Sequence, residues 1–217
     1  MDLCVRRRLA GLARRGKGDE AALKELLAYA DRYALVVPGF VPGELHVVGT
    51  LPGSATTDFG APDARGPWDG EPGDPDPGDV DRLADLLALC WAAFDRAVAA
   101  SSPELRKGPR GGGRDREGVV AHAREAERSY GSTLGARVLP RTPWPEQRAA
   151  FDAAIRAGAP DGRWPLRYAV RRFAWHVLDH AWEIEDKQPT PPTGEPSCSV
   201  GRISTSLIAT CRGRVTT

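Results

Sequence analysis

The chain is poor in the residues that usually announce a chemistry. Its four cysteines (Cys4, Cys90, Cys198 and Cys211) are scattered with no CxxC pair, so they make neither a zinc finger nor a disulfide framework. There is no run of 18 apolar residues, and no transmembrane helix is expected. The Arg-rich start has no uninterrupted apolar stretch and no small-residue cleavage site, which argues against a signal peptide. Neither sign of charge dominates: 30 Lys+Arg stand against 29 Asp+Glu, for a net charge of +1. That balance removes the global electrostatic case for nucleic-acid binding. No Gly-x-Ser-x-Gly elbow, dinucleotide fingerprint or cysteine–histidine nucleophile pattern is present. The expectation is a soluble cytoplasmic protein with no nucleic-acid and no membrane partner.

What the chain does have is unevenly distributed. Glycine (24) and proline (19) are plentiful, and their clusters mark the domains. Residues 1–18 are basic and broken by glycine, and read as an irregular N-terminus. Residues 19–60 read as a small α/β segment. In it a helix capped by Asp19 is followed by two extended runs, Ala34–Val37 and Leu45–Val48, around a Pro/Gly turn. Residues 61–78 are Pro, Gly and Asp in bulk, which predicts a linker. Residues 188–217 carry little periodicity and predict a disordered tail.

Between linker and tail, residues 79–187 change character. Apolar residues recur at helical spacing over roughly 79–104, 115–131, 143–157 and 163–186, with Asp79 and Asp115 as N-caps and Thr142–Pro143 opening the third. Four such helices joined by short-to-medium loops predict a mainly α fold, an antiparallel four-helix bundle.

Three of the four histidines lie in this region. His176 and His180 are one turn apart on the fourth helix, so their rings share one side. At about 100° per residue, Leu166, Val170, Phe173, Val177, Ala181 and Ile184 form a core stripe, with His180 roughly 40° and His176 roughly 80° from its centre. On the second helix, Val119, Ala123, Ala126 and Tyr130 form the stripe, and His122 lies about 60° to its side. Three imidazoles on inner shoulders can converge on one cation and leave positions open for water or substrate. Neutral imidazole favours Zn, Ni or Fe over Mg or Ca. The competing reading is three satisfied histidines, with Glu125, Asp179 and Glu183 as their partners. Glu125 can also orient an imidazole or act as a base, although a helix salt bridge is the preferred reading.

Two further features stand out. The loop 106–116 (RKGPRGGGRDR) sets Arg110 and Arg114 beside a helix start, where an anion can bind, although a flexible connection with solvated arginines is the preferred reading. Trp175 and Trp182 fall nearly opposite the core stripe, which calls for cover by the N-terminal segment or for a homodimer through that face.

The segments GPRGGGRDREGVVAHAREAERSYGSTLG (108–135) and RYAVRRFAWHVLDHAWEIED (167–186) resemble the DinB/YfiT-like superfamily of four-helix bundles. The resemblance covers about residues 79–187. It implies a divalent metal held by His122, His176 and His180, and a thiol-dependent transferase or isomerase activity on a small-molecule substrate. A low-molecular-weight thiol co-substrate follows from the resemblance alone. Segment 19–60 is similar to a HicB-like unit found before such bundles, in which a strand pair usually precedes the helix. Residues 1–18 do not read as strands, and the loss of pattern at Gly18 and Lys187 suggests a shifted or truncated reading frame at one or both ends. The alternative to an enzyme is a non-catalytic protein-interaction module with structural histidines.

Overall fold

A computed structural model describes residues 2–5, 10–47, 49, 54–58, 60–62, 77–108 and 112–189. The described residues are mainly helical. Strands β1 (Asp2–Val5) and β2 (Ala13–Gly16) pair antiparallel, with Asp2 opposite Gly16 and Val5 opposite Ala13. Helices α1 (Asp19–Ala28) and α2 (Ala30–Ala34) follow, and α3 (Ala55–Asp58) is a single turn. Four long helices complete the chain: α4 (Pro77–Ala100), α5 (Arg116–Thr133), α6 (Trp144–Arg156) and α7 (Leu166–Asp186).

The long helices form where the apolar periodicity placed them, and their ends follow local chemistry. Asp115 caps α5 by accepting from the Gly118 N–H at 2.7 Å. Pro165 disfavours helical backbone in the residue before it and is itself extended at ψ 135°, so α7 starts three residues later than expected. Gly158 ends α6 at φ 79°. Asp79 is not a cap: α4 begins at Pro77, and Asp79 in its first turn pairs with Arg82 and Arg167.

Cross-helix contacts fix the directions. Asp79 at the start of α4 meets Arg167 at the start of α7, and Ser102 donates its N–H to Gln188 at 3.0 Å beyond the far ends. These two helices therefore run parallel. Gln147 donates to the Arg124 carbonyl at 3.1 Å and Arg148 pairs with Glu127 at 3.0 Å, so α5 and α6 are parallel as well. Arg148–Asp95 and Arg156–Asp81 set α6 against α4. The helices are thus opposed two against two, not neighbour by neighbour.

Phe94, Phe151, Phe173, Val177, Leu178 and Ile184 are fully buried at the centre. Helix α7 is the hub, with fourteen of its 21 residues buried, and Arg14 and Tyr29 of the N-terminal unit pack on its Trp182. A Cβ on Gly11 would lie 2.8 Å from Leu178 Cδ1, so the chain leading into β2 rests directly on α7 at that point.

Three expectations for the N-terminal region are corrected. Residues 1–18 are not irregular throughout, since they contain β1 and β2. The hairpin was hidden because β2 reads ARRG, with no alternation of apolar and polar residues. Arg14 is nevertheless buried there, its guanidinium 3.7 Å from the Tyr29 ring centroid and 2.9 Å from Asp179. Ala34–Val37 is not a strand: α2 runs through Ala34, and a turn follows. Residues 45–47 belong to no strand or helix, and Val48 lies outside the described residues. Most of the expected linker (63–76) and of the expected tail (190–217) lies outside the described residues.

Candidate metal centre

The predicted convergence of histidines is present. His122 stands on α5, and His176 and His180 one turn apart on α7. Because α5 runs antiparallel to α7, these positions come level across the seam. The ring centroids form a nearly equilateral triangle: 5.1 Å between His122 and His176, 5.0 Å between His122 and His180, and 4.6 Å between His176 and His180. One ligand nitrogen from each ring lies within 4.8 Å of the others, close enough to hold one ion. His176 Nε2 and His122 Nε2 are 3.3 Å apart. Two nitrogens on a tetrahedral zinc at 2.0–2.1 Å would be separated by about 3.3 Å.

Electrostatics favour neutral imidazole here. Burial pushes the His176 pKa down to about 2, aided by His180, His122 and the Arg172 and Arg114 guanidiniums. Burial also lowers His122, with His180 and Arg114 adding to the effect. A ring that stays neutral at ordinary pH keeps a lone pair available for a cation.

His180 Nδ1 lies 2.7 Å from Glu183 Oε2, and Lys187 Nζ donates to the other oxygen of Glu183 at 2.6 Å. The hydrogen bond from His180 leads in holding the Glu183 carboxyl down to about 2, against burial and with Lys187 assisting. The carboxylate fixes the proton on Nδ1 and leaves the ring's lone pair on Nε2. His176 departs from that pattern, because its Nδ1 is buried without a hydrogen-bond partner.

The remaining candidates divide. Glu183 is at the site as an outer partner. Glu125 is not: it is exposed and pairs with Arg128, so the salt-bridge reading holds. Asp179 pairs with Arg14 and not with a histidine. Arg114 is exposed at the start of α5, near enough for its charge to depress His122 and His176. Arg110 lies outside the described residues. Lys187 was missed as part of the relay; its i,i+4 spacing from Glu183 was the available signal.

The site and fold therefore define a mainly helical protein carrying a three-histidine cluster able to hold a metal ion. Compared with known proteins, the chain matches no family model, no curated protein and no solved structure. No described helix is long and apolar enough to cross a membrane.

Proposed function

We propose that this chain is a divalent-metal protein of DinB-like architecture, with His122, His176 and His180 as ligands and Zn, Ni or Fe as the ion. The observation that carries this reading is the meeting of three imidazoles from two helices, two of their nitrogens 3.3 Å apart, with Glu183 orienting the third ring. Three neutral nitrogen donors leave the ion's full positive charge and at least one open position. Such an ion supplies Lewis-acid chemistry, lowering the pKa of a bound water or thiol. The chain's own residues hold the ligand rings, and burial keeps His122 and His176 unprotonated. A thiol-dependent transferase or isomerase acting on a small electrophile in the cytoplasm is the activity that the resemblance supports.

The interaction-module alternative drew on the tryptophan face of α7. Part of that face is already covered: Trp182 is buried, 5.0 Å from the Tyr29 ring, with Arg14 at 4.2 Å. Metal analysis of tag-free protein tests the proposal. Near-stoichiometric metal that His176→Ala abolishes is the expected result. Metal-free protein whose melting temperature is unmoved by added zinc would refute it.

A further inference from the structure

At about 100° per residue, Trp182 and Glu185 lie roughly opposite His176 and His180 on α7. On that far face the N-terminal unit and the bundle do not close on each other. A cavity of about 370 Å³ opens between the end of α2, α4 and α7. Its size falls within the roughly 300–1,000 Å³ of small-molecule sites. The buried alanines Ala93 and Ala97 of α4 and Ala181 of α7 line it, with Trp182 and Val36. Short side chains on two neighbouring helices leave the space. Leu35, which also lines the cavity, is 83% exposed, more than any other large apolar side chain among the described residues. An apolar group held in water beside an apolar hollow is surface that an occupant would cover.

The charges at the rim are unequal. Arg32 is spent on Glu185 and Asp186, at 2.5 and 2.9 Å. Arg96 is exposed on α4 and has no hydrogen bond or ion pair among the described residues. The positions one turn away from it on α4 are Ala92, Ala93, Ala99 and Ala100, so its own helix offers it no acid. The cavity therefore combines apolar walls with one unspent guanidinium.

We propose that this cavity binds a free aliphatic monocarboxylate, its alkyl chain against the alanines, Val36 and Trp182 and its carboxylate on Arg96. The walls select the apolar body, since each buried methylene gains free energy there. The free guanidinium selects the planar anionic head. Glu185, already neutralised by Arg32, offers nothing to a second negative charge. No lining residue belongs to the histidine cluster, so the proposal stands whether or not a metal is bound there. An occupant would touch the N-terminal unit on one side and α4 and α7 on the other, and so stabilise their union.

Titration calorimetry on the full chain, with and without a chelator, tests the site with hexanoate, octanoate and decanoate. The uncharged counterpart is 1-octanol. One acid should bind per chain, and affinity should rise roughly three- to fourfold with each added methylene. Arg96→Gln should weaken octanoate about tenfold and remove its advantage over 1-octanol. Ala97→Leu, which fills the cavity, should abolish binding of all three acids. Melting curves of each variant separate loss of binding from loss of fold. Arg96→Gln changes only an exposed side chain and carries the test if Ala97→Leu unfolds the chain. No saturable binding of decanoate, affinity indifferent to chain length, or 1-octanol bound by the wild type as tightly as octanoate would overturn the site. So would undiminished binding by folded Ala97→Leu. Binding that the chelator removes would place the carboxylate on a metal ion instead and equally overturn it.

Discussion

At the scale of single residues, the balance between burial and pairing decides what each side chain does. His176 is buried and stays neutral; His180 is held by Glu183, which is held by Lys187. Glu183→Gln keeps the size of the side chain but removes its charge and leaves the proton on His180 unspecified. Zinc affinity should fall about 10- to 100-fold with the far-ultraviolet spectrum unchanged, as measured by competition with a chromogenic chelator. An unchanged affinity would show that the carboxylate does not serve the ring. Gly131 illustrates the opposite kind of residue, one defined by the space it leaves. A Cβ there would come within 1.9 Å of the Phe151 ring, which is fully buried. Alanine is the better helix former, yet Gly131→Ala should destabilise the protein by about 1–3 kcal/mol in urea titrations, because the ring has nowhere to go.

At the scale of elements, α5 shows why part of the design escaped the sequence. The apolar pattern put its inner stripe at Val119, Ala123, Ala126 and Tyr130. The buried row is Val119, Ala123, Glu127 and Gly131, while Ala126 and Tyr130 are only half-buried. A hydrophobic-periodicity reading rejects a glutamate from a core face, and only the partner helix makes it acceptable. Arg148 of α6 pairs with Glu127 and with Asp95 of α4, and Trp144 donates to Glu127 at 2.6 Å. One charged knot thus fixes three helices. Arg148→Ala would leave the carboxylate buried and unpaired, at a cost of about 3 kcal/mol or more by denaturant titration.

The same knot predicts a pH dependence. Burial raises the Glu127 pKa, against the pull of Arg148. The native state then binds a proton that the unfolded state releases above roughly pH 4. The stabilising contribution is full below that value and is lost as pH rises through the folded pKa. Glu127→Gln removes this slope, so the stability difference between wild type and variant should move in the variant's favour from about pH 4 upward. Parallel stability–pH curves would contradict it.

At the scale of the whole molecule, the four long helices and the histidine geometry were legible because both follow from a 3.6-residue period. The N-terminal strand pair was not, because its inner strand buries Arg14 through a salt bridge and two aromatic rings rather than through alternating apolar residues. The relative directions of the helices were not legible either, since they depend on pairs such as Asp79–Arg167 that lie far apart in sequence. The strand–strand–helix unit is part of the core's cover: Tyr33 donates to the Ala10 carbonyl at 2.8 Å, and Leu12, Leu26 and Tyr33 join the buried cluster. Deleting residues 1–47 would expose Ala174, Leu178 and Trp182, so the remaining chain should aggregate or melt well below the full protein in calorimetry; an equal melting temperature would show the unit to be dispensable. The central claim, three imidazoles on one ion, is tested most directly by X-ray absorption at the zinc edge of the reconstituted full chain. The centre predicts one zinc per chain with three imidazole nitrogens at about 2.0–2.1 Å, one of them lost in His122→Ala. Substoichiometric zinc, or a coordination shell that the His122→Ala exchange leaves unchanged, would contradict it.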